Sequence, residues 1–389
     1  MIVLSSSIQN YLSGLGHKTV VIGFSGGSDS TATYYLIKSF YETQGWSTDQ
    51  IIIAYFNHNM RLESSEEADY IKSQYKHSLI GTYKGISTKE HDLRIARHHF
   101  FYDCLQTVHS QTLILGHNLN DRIETLMLNT ERGCNIIGKI NMRMIDHRKQ
   151  YTILRPILEN TKSEINDFCH TRRLSYIIDH TNFDSLVSKR NKVRQHIGEL
   201  GSSQKQDYYN QFKKWEQEYD NIMVPIKKIN LPDYFGISNL HILSKNLTID
   251  QFAKLCKEFH IYEGMTSSRL NDYYSFLTQG THGTKTLHGR IFACCHNHIY
   301  MYQGNTLFNI GQILSFWLSY NNAYQYHQLR LVDLEHDTYH GKSINKYLIN
   351  KKIPFFLRKC VPMSTDGKVH DQLLSSLLIE NFLLASKNI

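Results

Sequence analysis

Residues 20–30 read VVIGFSGGSDS, an apolar run that stops at two glycines and gives way near Thr31 to a helix-like stretch. This junction constrains the chain more than any other. Glycines in a strand-to-helix turn admit positive φ and let the backbone approach a ligand closely, while the first helical turn leaves N–H groups without intrahelical acceptors. Those donors, with the helix dipole behind them, make a cradle for phosphate oxygens. Capping alone asks for a Ser or Asp before the helix, not for a full S-G-G-x-D-S arrangement. Ser25, Gly26, Gly27, Ser28, Asp29 and Ser30 are therefore read as a nucleotide phosphate loop. The loop has no lysine where G-x-x-x-x-G-K-[ST] carries one, and it lacks the G-x-G-x-x-G spacing. Neither kinase-type nor dinucleotide chemistry is expected from it.

The same alternation recurs downstream. IIIAYF precedes a helix-like EEADYIKSQYKH; then come a helix near 88–108, an apolar run at 112–116, a helix from about 119 to 132, and further alternation through LRPIL and LSYIID. Strands alternating with helices imply a parallel α/β sheet. From residue 204, QKQDYYNQFKKWEQEYDNI repeats apolar residues at three- and four-residue spacing and reads as an amphipathic linker helix leaving the sheet domain. Beyond it lie helix-like IDQFAKLCKEF and SRLNDYYSFL, strands around QGTHGTKTLHGRIFACC, a strand-like QLRLVDL and the basic GKSINKYLINKKIPFFLRKC. The expected division is a parallel-sheet catalytic domain at 1–203, then two smaller α+β domains at 204–307, which includes the linker helix, and 308–389.

At 389 residues, 41% of them hydrophobic and 20% charged, the chain has the composition of a globular protein with more than one core. No apolar run reaches the roughly 18 residues of a membrane span, and the N-terminus lacks the basic and apolar regions of a signal peptide, so a cytoplasmic protein is expected. Its seven cysteines show no C-x-x-C spacing, which argues against a disulfide framework and against zinc or iron–sulfur chemistry. Cys294, Cys295, His296 and His298 resemble a ligand cluster, but they lie in IFACCHNHIYMY, whose alternate residues would face opposite sides of a strand. The net charge of +8 favours a polyanionic partner without identifying it.

A second informative stretch is GHNLNDRIET, residues 116–125, again where an apolar run meets a helix. Strand C-termini line the ligand crevice of an open α/β sheet, so this turn and the Ser25–Ser30 loop can face one site. Asp121 could hold Mg²⁺ or orient a nucleophile, with Glu124 one turn along the same side. An Asn–Asp cap followed by a solvated Glu accounts for the same letters.

Several stretches join these two in a characteristic order: FNHNMRLESSEEADYI, IARHHFFYDCL, LRPIL, IIDHTNFD, SKRNKVRQHI and the tail GKSINKYLINKKIPFFLRKCVPM. Together they resemble the tRNA(Ile)-lysidine synthetases, N-type ATP pyrophosphatases with a PP-loop, along nearly the whole chain. Asn120 stands where that family usually has the first Asp of a pair, and Phe100 and Phe101 replace an Arg-Tyr after Arg97. The resemblance implies an adenine nucleotide alpha hydrolase-like fold. It also implies ATP and Mg²⁺, L-lysine, and a tRNA(Ile) with a CAU anticodon whose wobble cytidine is adenylated at carbon 2 and then joined to lysine. Carried onto this chain, it makes Asp29 and Asp121 catalytic and metal-holding residues. It places Asn57, His58, Arg61, Arg97, His117 and Glu124 near nucleotide or substrate, and assigns Arg190, Asn191, Arg194, Lys342, Lys346 and Arg358 to tRNA. Whether a carboxylate or His117 takes the proton from lysine stays open. So do two other readings: a different PP-loop tRNA-modifying enzyme such as a base thiolase, and a silent nucleotide or RNA binder.

Overall fold

The computed structural model describes residues 2–59, 64–87, 89–177, 189–229, 237–262, 265–280, 282–295, 298–304, 329–331, 333–339, 341–350, 353, 358 and 361–364. They fall into two compact units, Met1–Asp220 and Asn221–Ile389.

In the first unit, α1 (Ser6–Leu15) leads to β1 (Val20–Phe24), α2 (Ser28–Thr43), β2 (Ile51–Asn57), α3 (Ser64–Gln74) and β3 (Ser78–Thr82). Then follow α4 (Glu90–Thr107), β4 (Thr112–Leu115), α5 (Leu119–Glu131), α6 (Ile136–Ile140), β5 (Ile145–His147), β6 (Thr152–Leu154) and α7 (Lys162–Thr171). Helices α8 (Lys189–Glu199) and α9 (Ser202–Asn221) close the unit. The strands form one sheet in the order β3-β2-β1-β4-β6-β5. All pairs are parallel except β5 with β6. The expected parallel α/β architecture is therefore present, with an antiparallel edge strand of three residues, too short to show periodicity in sequence.

Alternate residues of β1 serve opposite faces, as the two-residue period requires. Val20, Ile22 and Phe24 join Ile8, Leu12, Ile37 and Phe168 in one core. Val21 joins Ala54, Leu113 and Leu115 against Phe101, Cys104 and Leu105 of α4 in the other. Phe101, one of the three family departures, is thus a buried face residue. Chain order reverses between β1 and β4, and the pairing of Gly23 with Leu115 brings their C-terminal ends level. The loop after β1 and the turn after β4 consequently face each other across a topological switch point, the place where open α/β sheets bind ligands.

The helix expected to leave the sheet domain stays with it. Phe212 of α9 is fully buried with Leu119, Ile123 and Leu126 of α5 and Ile197 of α8, flanked by Tyr208, Tyr209 and Trp215. The first compact unit accordingly runs to Asp220.

The second unit holds β7 (Ile226–Ile229), β8 (Ile237–Ser244), α10 (Ile249–Glu258), α11 (Ser267–Gln279), β9 (His282–Leu287), β10 (Arg290–Cys295) and β11 (His298–Gly304). These strands form an antiparallel sheet in the order β7-β8-β11-β10-β9. Cys294 is a β10 core residue whose thiol lies 3.4 Å from the Phe276 carbonyl oxygen, in keeping with the strand reading of that motif. Further along are β12 (Leu329–Leu331), β13 (Thr338–Tyr339), β14 (Lys342–Ser343), α12 (Ile344–Asn350) and β15 (Pro362–Ser364). Among the described residues no helix is long and apolar enough to cross a membrane.

Candidate functional site

A cavity of about 990 Å³ opens at the C-terminal ends of β1, β2 and β4, lined by the Ser25–Ser30 loop, Asn57, His58, Arg97, His117 and the start of α5. Its floor is built by the loop. Gly26 adopts φ +82°, and its carbonyl accepts a 2.9 Å bond from the Ile177 N–H. The Ser30 hydroxyl donates to the Gly27 carbonyl and accepts from the Ser25 N–H, so the turn braces itself. Gly27 caps α2 with no side chain, so the first-turn N–H groups have no side-chain cap, and Ser28, Asp29 and Ser30 of that turn line the cavity. Gly116 is needed for a different reason: a Cβ there would lie 2.9 Å from the Asp29 carbonyl oxygen, so only glycine lets the two turns meet.

Asp29 joins the two turns. Its Oδ1 accepts from Asn118 Nδ2 at 3.2 Å, and its Oδ2 pairs with Lys162 Nζ at 2.7 Å. Lys162 also donates to Ser28 Oγ at 2.9 Å. Sequence reasoning missed this lysine, because T-K-S-E reads as an ordinary capping box, which Thr161 and Glu164 do form. A signal was available: a lysine in the first turn opposes the helix dipole and needs another reason to be there.

Asn118 and Asp121 form the capping box of α5. The cap and the site are the same residues, since both line the cavity. Burial, reinforced by Asp29 and Glu124 and opposed by the Asn118 N–H, pushes the Asp121 carboxyl up to about 6. Asn120 accepts from the Lys162 N–H at 3.2 Å, so the unusual amide ties α5 to α7. Glu124 is buried rather than solvated, held by Arg190 and, at 2.7 Å, by Arg194 of α8. These two arginines, which the resemblance assigns to tRNA, line the cavity and clamp a carboxylate there. Asn191 sits half-buried beside them.

The opposite wall is basic. Arg155 Nε donates to His117 Nδ1 at 3.2 Å, and burial, with Arg155 and Arg97 beside it, holds the imidazole well below its usual range. Burial lowers His98 to about 4, assisted by Arg97 and Arg94, and lowers His58, with Arg97 contributing. Arg97 Nε and His58 Nδ1 are buried with no partner among the described residues. Asn57 is buried and accepts the Asn59 N–H at 2.6 Å. Arg61 lies outside the described residues.

Residues 2–200 match the PP-loop domain. The chain belongs to the PP-loop family. Its relatives include the tRNA(Ile)-lysidine synthases of Clostridioides difficile strain 630, 29% identical over 204 residues, and of Wolinella succinogenes, 26% identical over 239. That of Streptococcus equi subsp. equi strain 4047 is 30% identical over 183 residues. These matches cover 49%, 58% and 46% of this chain and 42%, 71% and 40% of the respective relatives. The chain thus matches less than half the length of two of the three.

In the second unit of this PP-loop protein, the residues expected to meet tRNA differ among themselves. Lys346 is exposed on α12, and the backbone of Lys342 pairs with Tyr339. Arg358 is 7% exposed, its Nε donating to the Ile353 carbonyl and its Nη1 to Asn345 Oδ1. It is a buried structural arginine, which corrects its expected place on a phosphate-facing surface. Lys351, Lys352, Phe355, Phe356 and Lys359, also read as part of that basic segment, lie outside the described residues.

Proposed function

We propose that this PP-loop protein is a tRNA(Ile)-lysidine synthase, acting in the cytoplasm on ATP, L-lysine and a tRNA(Ile) with a CAU anticodon. The observation that carries this reading is the Asp29–Asn118 bond, which couples the phosphate loop to the β4–α5 turn in one cavity; the relatives' names point the same way. In the first step the carbonyl oxygen at carbon 2 of the wobble cytosine attacks the α-phosphorus of ATP, and the bond to pyrophosphate breaks. In the second the ε-amine of lysine attacks carbon 2, AMP leaves, and the amine loses a proton. The product pairs with A rather than G.

The α2 N-terminus would hold the phosphates, and Lys162 would supply the positive charge that the loop itself lacks. Asp29 and Asp121 would hold Mg²⁺. Their number fits, because Mg²⁺ takes one or two protein carboxylates when substrate phosphates and water complete its shell, and both carboxylates line the cavity. When bound, Mg²⁺ neutralises phosphate charge. Arg97 and His58, whose buried nitrogens have no described partner, stand ready for the polar groups of the substrate.

The test is pyrophosphate release from ATP with and without an unmodified tRNA(Ile) transcript, followed by mass spectrometry of the tRNA. Release that depends on tRNA, with a nucleoside mass increased by lysine minus water, supports the reading. Release without the lysine adduct moves it to another base-modifying PP-loop enzyme, and no release moves it to a silent binder.

A further inference from the structure

We infer that His117 works as a neutral hydrogen-bond donor through Nε2, its tautomer fixed by Arg155, and does not serve as the general base. A guanidinium can only donate, so the ring nitrogen that faces it must carry a lone pair. Arg155 Nε lies 3.2 Å from His117 Nδ1, which leaves the single proton of the neutral ring on Nε2. Protonating Nδ1 would set two donors against each other beside a cation. Arg155 cannot turn away to relieve this, for it is 6% exposed, its Nη1 donates to the Arg143 carbonyl at 2.8 Å and stands 3.8 Å from Asp146 Oδ2. The other charged or titratable groups acting on the ring are Arg97, Arg94 and His98, which also oppose a positive imidazole.

The ring lines the cavity, and nothing among the described residues bonds Nε2. It directly follows Gly116, where an added Cβ would lie 2.9 Å from the Asp29 carbonyl oxygen, so it borders the phosphate loop. A fixed neutral donor at that place suits an oxygen that gains negative charge as bonds change. In the proposed reaction, on which this part of the inference rests, that oxygen belongs to the α-phosphate of ATP. Deprotonation of the lysine ammonium then falls to a group other than His117, closing the alternative left open by the sequence.

The experiment combines nitrogen NMR of the full chain labelled at histidine nitrogens with kinetics of two variants. The expected spectrum shows His117 with Nδ1 unprotonated and Nε2 protonated, unchanged between pH 6 and 8. Arg155→Lys, which keeps the cation but removes the Nε–H, should let both tautomers appear. His117→Gln, which keeps a donor, should retain at least tenfold more kcat than His117→Ala, with a pH profile that superimposes on the wild type; loss of one such donor costs on the order of 10²–10³. A proton on Nδ1, a pH limb that disappears in His117→Gln, or a His117→Gln enzyme as impaired as His117→Ala overturns the inference. The spectrum needs no substrate, so a wild-type protein that incorporates no lysine would count against the proposed function while leaving the tautomer decided.

Discussion

Removing the Lys162 ammonium would leave Asp29 bonded to Asn118 and would take the cation away from the phosphate loop. A charge-assisted hydrogen bond is worth about 1.5–3 kcal/mol, so Lys162→Ala should weaken ATP and pyrophosphate binding roughly 10- to 100-fold. AMP binding should change little, and Lys162→Arg should recover part of the loss; calorimetric titration of the three ligands checks this. At Gly116 the constraint is steric. Alanine would press the Asp29 backbone, and a displacement near 1 Å at a reacting centre costs about 10²-fold, so Gly116→Ala should lower kcat/KM for ATP by that order and lower Tm as well, since overpacking against backbone costs about 1–3 kcal/mol. Residues of this kind were legible in sequence to different degrees. The loop glycines and Asp29 could be found because a strand-to-helix turn restricts local backbone geometry. Lys162 could not be paired with Asp29, since 133 residues separate them and only the folded sheet brings them together. The Glu124 clamp was hidden for the same reason, and Arg358 was misjudged because a basic residue was assumed to be exposed.

At the scale of elements, the contact between α5 and α9 is organised around one buried arginine. Arg122 is 1% exposed, donates to Glu216 at 2.7 Å and to the Ile140 carbonyl at 3.1 Å, and stacks on the Phe212 ring with 4.1 Å to the centroid. Breaking a buried pair by deleting one partner leaves an uncompensated charge, so Glu216→Ala should cost about 3 kcal/mol of unfolding free energy, the lower end for such pairs because Glu216 is partly solvated. Phe212→Ala should cost about 3–5 kcal/mol through cavity formation and lost stacking. Urea unfolding of both variants, followed by tryptophan fluorescence near Trp215, measures the effect. The helices and the longer strands were readable from periodicity. The edge strand β5 was not, and LSYIID gave no strand over the described residues 174–177; instead Ile177 seals the phosphate loop against Gly26.

For the whole molecule, the division after Asp220 predicts where the chain can be cut. A fragment of residues 1–221 should fold and bind ATP, whereas one ending at 203 loses α9, exposes Leu119, Ile123 and Leu126, and should melt lower or aggregate. Circular dichroism melts of the two fragments distinguish these outcomes. The α/β class was plain from alternating strands and helices, but the boundary was not, because an amphipathic helix shows that it has an apolar face without showing which unit covers it. The most direct measurement of the central claim is incorporation of radiolabelled lysine into an unmodified tRNA(Ile) transcript by the full chain with ATP and Mg²⁺, beside the Asp29→Ala variant. Labelling that requires ATP and disappears in the variant is the predicted result; an intact, folded wild-type chain that leaves the transcript unlabelled would contradict it.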